Sequence, residues 1–248
     1  MMTKKTSVPT SPLSGLKEGG KGEVAPSSRG EIDAFLNAAK TLGPRAEGRG
    51  RLVFALDATM SRQPTWDRAC SLQAEMFEEA AKTGSLDVQL VYFRGFGECR
   101  ASKWVKNARA LADLMTRIDC RGGHTQIGKV LAHALKETKK EKVQALVYIG
   151  DCMEENADDL CAKAGELGLH GVPVFLFQEG GDPVADRAFK EIARLTKGVH
   201  LRLDAASAKE LGQLLRGVAA YAAGGRKALQ DLSKGGARGA TLLLEQMR

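Results

Sequence analysis

The sequence predicts an α/β fold: a doubly wound, mostly parallel sheet with one short antiparallel edge strand and helices on both faces. Three observations carry this expectation. Short, nearly continuous apolar runs recur along the chain, and stretches with apolar residues at helical spacing separate most of them. One pair of runs stands too close together to admit a helix. Strands that are apolar on both faces need cover on both faces, and parallel strands need crossover helices, so the alternation implies a covered parallel sheet.

Taken in order, residues 1–30 are rich in Gly, Pro, Ser, Thr and Lys and poor in large apolar residues. They cannot bury enough surface to offset the entropy of ordering and are expected to form a disordered basic arm. Ile32, Phe35, Leu36 and Ala39 have helical spacing and end at Gly43-Pro44, which predicts a short lead-in helix. The alternation then begins with an apolar run over 52–56, a helix over 65–82 and a run over 88–93. Arg94-Gly95-Phe96-Gly97-Glu98 leads straight into Cys99–Lys103, so a hairpin to a charged edge strand is expected.

Helices follow over 108–118 and 127–135, where Ile127, Val130, Leu131 and Ala134 mark one face. The remainder reads as a run over 143–149, a helix over 157–167, a run over 172–177, a helix over 185–195, a strand over 199–203 and a helix over 208–222. Residues 223–248 contain a Gly-rich break and then the short amphipathic piece Thr241–Met247, which either packs back on the fold or is offered to a partner. The expected division is thus an arm over 1–30, one domain with its lead-in helix over 31–222, and a basic tail over 223–248.

Composition narrows the function. The 248 residues carry a net charge of +7. Five basic and two acidic side chains lie in 1–30, and the same numbers in 223–248, so about +1 remains for residues 31–222. A nearly neutral folded part argues against a dedicated nucleic-acid face. No apolar run reaches the roughly 18 residues of a membrane span, and MMTKKTSVPTSP has no apolar stretch behind its lysines, so neither span nor leader is expected. The five cysteines, Cys70, Cys99, Cys120, Cys152 and Cys161, are odd in number and show no CxxC spacing. Reduced thiols in a cytoplasm fit that pattern.

Chemistry concentrates where the first strand ends. Asp57, Thr59 and Ser61 follow the apolar run on alternate residues, which in extended chain would point one way. The fourth strand runs likewise into Gly150-Asp151. In a doubly wound sheet these two strands are neighbours at the switch point, so both aspartates are expected at one crevice beyond the strands' carboxyl ends. Arg121-Gly122-Gly123-His124-Thr125-Gln126 opens a helix, and its glycines would let the backbone fold in and present Thr125 at the surface.

The order Asp-x-Thr-x-Ser, then Gly-Gly-x-Thr before a helix, then a strand ending in Asp, resembles the metal-ion-dependent adhesion site of von Willebrand factor type A domains. The resemblance covers about residues 50–220 and includes Ile192-Ala193-Arg194-Leu195-Thr196-Lys197-Gly198-Val199-His200, which is similar to the family's penultimate helix and last strand. It implies that Thr59, Ser61 and Thr125 supply hydroxyl oxygens to Mg²⁺ or Mn²⁺. Asp57 and Asp151 would then act as carboxylates largely through bound waters. It further implies that a partner protein offers a Glu or Asp to the ion, a recognition device without a chemical step. Thr59 stands where the family usually has Ser, and Gly150 and Cys152 replace the usual Thr and Gly.

Bland readings stand beside this one. Thr59 or Ser61 alone would serve to cap the next helix. His124 and Cys152 are candidate rim residues, although a loop histidine is usually solvated and a cysteine there usually a small apolar filler. Trp66 and Trp104 read as packing, and His133, His170 and His200 as structural or exposed. A metal-free scaffold of the same fold is one alternative. A Mg²⁺-dependent phosphohydrolase-like enzyme is another, but it wants a second carboxylate where Thr59 stands. The first turn lacks the glycines of a dinucleotide site, and no G-x-S-x-G elbow is present.

Overall fold

The computed structural model describes residues 49–82, 85–203 and 208–247. The basic arm and the lead-in helix lie outside the described residues. Six strands form one sheet in the order β3-β2-β1-β4-β5-β6: β1 (Gly50–Asp57), β2 (Leu86–Arg94), β3 (Glu98–Ala101), β4 (Ala145–Gly150), β5 (Val174–Glu179) and β6 (Val199–Leu203). All neighbouring pairs are parallel except β2 and β3, which pair antiparallel across the turn at Gly95–Gly97. The α/β, doubly wound architecture expected from the alternation is therefore present, including its single antiparallel edge strand.

The helices are α1 (Gln63–Ala81), α2 (Ala108–Met115), α3 (Ile127–Lys140), α4 (Ala157–Leu169), α5 (Pro183–Thr196), α6 (Ala208–Lys234) and α7 (Arg238–Gln246), with a 3-10 turn over Met60–Arg62 before α1. Their ends follow local chemistry. Asn107 caps α2 through Ala110 N, Asn156 caps α4 through Asp158 N and Asp159 N, and Asp182 caps α5 through Val184 N with Pro183 next. The expected break after residue 222 is a kink within α6. Gly225, at φ 69°, takes a conformation that side-chain-bearing residues avoid, and helix continues on either side of it.

β1 lies at the centre, and all of its residues are buried. Strand alternation divides it between two cores. Leu52, Phe54 and Leu56 join one core with residues of α1, α2, α6 and α7, including Trp66, Met76, Leu111, Leu215, Val218 and Leu243. Val53 and Ala55 join the other with α3, α4 and α5, including Val130, Leu131, Leu160, Phe189 and Ile192. Ala240, Leu243 and Met247 are buried in the first core, so the C-terminal amphipathic piece packs back on the fold.

Polar side chains pin the sheet's other end. Arg51 lies over the Trp104 ring, 3.9 Å from its centroid, and donates to Glu141 O, while Trp104 Nε1 donates to Glu137 Oε2 at 3.2 Å. Trp104 is thus a packing residue, as is Trp66, which is 2% exposed and donates to Met115 O. His133 bonds Gln89 and the buried His200 bonds Gln178, both structural roles. β1 pairs with β2 on one side and β4 on the other, which makes the carboxyl ends of β1 and β4 the switch point of the sheet.

Candidate metal centre

Asp57 is the last residue of β1, 2% exposed, on the face shared with Val53 and Ala55. Its Oδ1 accepts a hydrogen bond from Thr59 N at 2.8 Å, turning the chain out of the strand. Thr59 keeps extended backbone (φ −72°, ψ 162°) and precedes the 3-10 turn, yet its hydroxyl makes no capping bond. The helix-cap reading of Thr59 is thereby removed. Its Oγ1 lies 3.4 Å from Ser61 Oγ instead, and Ser61 Oγ donates to Asp151 Oδ2 at 3.1 Å. Ser61 sits in the 3-10 turn rather than in extended chain. The helical turn, not strand alternation, brings its hydroxyl into the row.

Thr125 departs from expectation in a second way. It is 5% exposed rather than at the surface. Its Oγ1 accepts from Glu154 N at 3.1 Å, and its own N donates to Glu154 Oε2 at 3.0 Å. The 121–126 loop is held from below and from the hairpin: Arg121 N donates to Ala58 O at 2.9 Å, and His124 N to Gly95 O at 3.2 Å. The buried Gln126 amide contacts the carbonyls of Arg94, Gly95 and Glu98 at 3.3–3.4 Å. Gly123 is required here by space, since a Cβ would fall 2.2 Å from Gly95 O.

The segment after β4 ties the two halves together. Asp151 reaches Ser61, Glu154 reaches Thr125, and Glu155 accepts from Ile127 N and, at 2.8 Å, from Gly128 N. A carboxylate at those amides satisfies orphan donors and opposes the positive end of the α3 dipole. The structure therefore joins Asp57, Thr59, Ser61 and Asp151 in one hydrogen-bonded row and attaches Thr125 to it through the 151–154 segment.

The two rim candidates differ. His124 is exposed, its Nδ1 lies 3.0 Å from Glu154 Oε2, and its ring meets Phe96 edge-on with centroids 5.1 Å apart. Phe96, at the hairpin tip, is 86% exposed, and Met60, between Thr59 and Ser61, is 63% exposed. Cys152 is half-buried. Burial first, then its hydrogen bond to Asp151 and the nearby carboxylates, push its thiol up to about 12, which keeps the reactive thiolate out of reach near neutral pH.

Sequence reasoning missed Tyr148. It lies within an apolar strand run, 1% exposed, stacked against Phe93 (centroids 6.3 Å apart, 14° between planes) and edge-on to Phe189. Ala55 is opposite Tyr148 and Leu56 opposite Ile149, so Asp57 and Gly150 come next along the two strands. A Cβ at position 150 would lie 2.4 Å from the Tyr148 hydroxyl. Gly150 thus leaves room for the phenol to run along the sheet toward the strand ends. Burial first, then the Asp57 carboxylate, hold Tyr148 well above the usual phenol range. The legible signal was Gly150 itself, at a position where the resembling family carries a side chain. Glu154, Glu155 and Phe96 were also missed, because which helix or loop they meet is set by tertiary structure.

The donor set consists of three hydroxyls and two carboxylates. Among the described residues no group of three His, Cys, Asp or Glu side chains is placed to hold a metal, so a cation here would rest on the hydroxyls together with Asp57 and Asp151. An all-oxygen set suits a hard divalent ion. The Tyr148 hydroxyl supports the fit, since it is buried beside Asp57 and hydrogen-bonds no protein atom among the described residues. A hydrated cation brings water oxygens that such a donor can engage.

No protein family matches this chain by sequence, and no curated protein does. Solved structures do. A von Willebrand factor type A protein from Catenulispora acidiphila superposes with a TM-score of 0.56 at 17% identity, over 71% of this chain and 43% of that one. The chain thus spans less than half the length of that structure. The SpRpn10 VWA domain matches with a TM-score of 0.52 at 11% identity, over 66% of this chain and 95% of that domain. The human COPII-coat protein Sec24c matches with a TM-score of 0.52 at 13% identity, over 69% of this chain and 32% of that protein. Together with the six-stranded sheet and its helices, these likenesses establish that the chain has the fold of a von Willebrand factor type A domain.

Proposed function

We propose that this chain is a cytoplasmic protein-binding module that holds Mg²⁺ or Mn²⁺ through Asp57, Thr59, Ser61, Thr125 and Asp151 and offers that ion to a Glu or Asp of a partner protein. The observation that carries this reading is the row Asp57–Thr59–Ser61–Asp151 at the carboxyl ends of two neighbouring strands. When bound, the ion would supply an electrophilic coordination position for an incoming carboxylate. The chain's residues do the rest. Neutral hydroxyls leave much of the positive charge uncompensated, and Glu154 and Gln126 fix the loop that carries Thr125. Exposed Phe96, Met60 and His124 offer contact area beside the charge. No bond-making step is needed, so the proposal is a binding protein rather than an enzyme.

Several facts bear on the wider setting. Among the described residues no helix is long and apolar enough to cross a membrane. Cys99, Cys152 and Cys161 are free thiols, which supports a reducing compartment. One neighbour in fold is a coat protein.

A metal-free scaffold is the second reading, and one observation favours it: Ser61 already bonds Asp151, and Thr125 already accepts from Glu154 N, so these donors satisfy one another without an ion. Capture of partners from lysate by the full chain, with and without EDTA and with Asp57→Ala alongside, separates the readings. A partner lost both to EDTA and to Asp57→Ala supports the metal-dependent module. A partner retained in both conditions establishes the scaffold.

A further inference from the structure

Tyr148 is a fully buried polar side chain at the candidate site that the proposed ligand set does not use. Its ring is clamped between Phe93 and Phe189, and Ala55, its neighbour on β1, contributes only a methyl. Gly150 gives it passage to the strand ends, where its hydroxyl comes beside Asp57. A phenol is protonated at neutral pH and is a donor as well as an acceptor. Buried without a hydrogen-bonding protein atom among the described residues, it costs the fold roughly the desolvation of one hydroxyl unless something else accepts from it. A side chain larger than a hydrogen at position 150 would block it, so the pair Tyr148 and Gly150 forms one device.

We infer that Tyr148 is a positioning residue of the metal centre: its hydroxyl donates to a water of the bound divalent cation and holds that water against Asp57. This rests on the metal-dependent reading above. Water is the fitting acceptor because the phenol is fixed by its ring contacts and makes no direct bond to either carboxylate. Asp57 in turn spends Oδ1 on Thr59 N and is suited to act on the ion through water. The ligand class is therefore a hydrated, hard divalent cation rather than a stripped one. Tyr148 performs the orienting task that outer partners of metal ligands perform elsewhere.

The test uses the full chain and Mn²⁺ as probe, in the parent, Tyr148→Phe and Asp57→Ala. Calorimetry gives Mn²⁺ affinity, water-proton relaxation reports the waters on the bound ion, and melting in EDTA gives stability without it. Tyr148→Phe removes one oxygen and keeps the ring. The expected result is Mn²⁺ affinity about tenfold lower, with altered proton relaxation, at an EDTA melting point equal to or above the parent's. If Tyr148→Phe binds Mn²⁺ as tightly as the parent while Asp57→Ala does not bind, the role of Tyr148 is overturned and the metal centre stands. If Tyr148→Phe melts several degrees lower in EDTA, the hydroxyl is structural and the inference fails. If the parent itself binds no Mn²⁺, both readings fall together.

Discussion

Thr125 separates stability from metal binding when two substitutions are compared. Its hydroxyl accepts from Glu154 N, and the residue is 5% exposed, so Thr125→Ala deletes a buried acceptor and leaves an amide without its partner. One lost hydrogen bond costs about 1 kcal/mol, and the space left by two heavy atoms brings the total to roughly 2 kcal/mol. Thr125→Ser keeps the hydroxyl and loses one methyl, about 0.8 kcal/mol. For a domain of this size these figures correspond to melting points lower by about 4–8 °C and about 2–3 °C. Metal binding should follow a different order. Thr125→Ser should stay within about threefold of the parent, and Thr125→Ala should lose at least about tenfold, equivalent to about 1.4 kcal/mol. Thermal melts in EDTA beside Mn²⁺ calorimetry on the three chains provide the comparison. If both variants bind Mn²⁺ like the parent, Thr125 is only a structural link between its loop and Glu154, and its assignment as a ligand is refuted.

Two further outcomes concern the loop that carries Thr125 and, away from the site, the buried His200. Gly123→Ala places a Cβ 2.2 Å from Gly95 O, a backbone atom that cannot swing aside. It should lower stability by about 1–3 kcal/mol and weaken Mn²⁺ binding by displacing the Thr125 loop, whereas a variant melting and binding like the parent would show that loop to be adjustable. Burial lowers the His200 pKa from 6.5 to about 4, a shift that nearby Asp186 opposes and that Lys190 and Arg202 reinforce. The folded chain therefore keeps His200 neutral where the unfolded chain protonates it. The resulting stability is complete above about pH 6.5 and is lost as pH falls toward 4, by on the order of 2–3 kcal/mol. Denaturant midpoints of the parent and His200→Gln between pH 7 and 4 should diverge in slope, and parallel curves would contradict the account.

How far the sequence could be read depended on whether the cause was local. Strand runs such as Leu52–Leu56 and the helical spacing of Ile127, Val130, Leu131 and Ala134 are local patterns, and the sheet with its antiparallel edge follows from them. Most element ends shifted by no more than three residues, as with the helix expected over 108–118 and found over Ala108–Met115, because Asn107 and the Thr116 turn set its limits. The helix expected over 127–135 instead runs on to Lys140, and the one expected over 208–222 continues past Gly225 to Lys234. The Gly-rich break expected after residue 222 is the non-helical Gly225, where two helical segments meet at a kink, and Leu229 beyond it is buried in the same core.

At the site, Asp57 and Asp151 could be paired from topology alone, because strands that flank a switch point bring their carboxyl ends together. Ser61 arrived by a helical turn that alternation could not show. The burial of Thr125 depends on Glu154, twenty-nine residues away in sequence, and the place of Tyr148 depends on a missing side chain at Gly150. Such contacts leave no periodic trace.

The central claim is that Asp57, Thr59, Ser61, Thr125 and Asp151 form one divalent-cation site. Titration of Mn²⁺ into the full chain, followed by the loss of the free-ion electron paramagnetic resonance signal and repeated with Asp57→Ala, tests it most directly. One Mn²⁺ per chain, displaced by Mg²⁺ and absent from Asp57→Ala, is the predicted result. No saturable binding by the parent, or equal binding by the parent and Asp57→Ala, would contradict it.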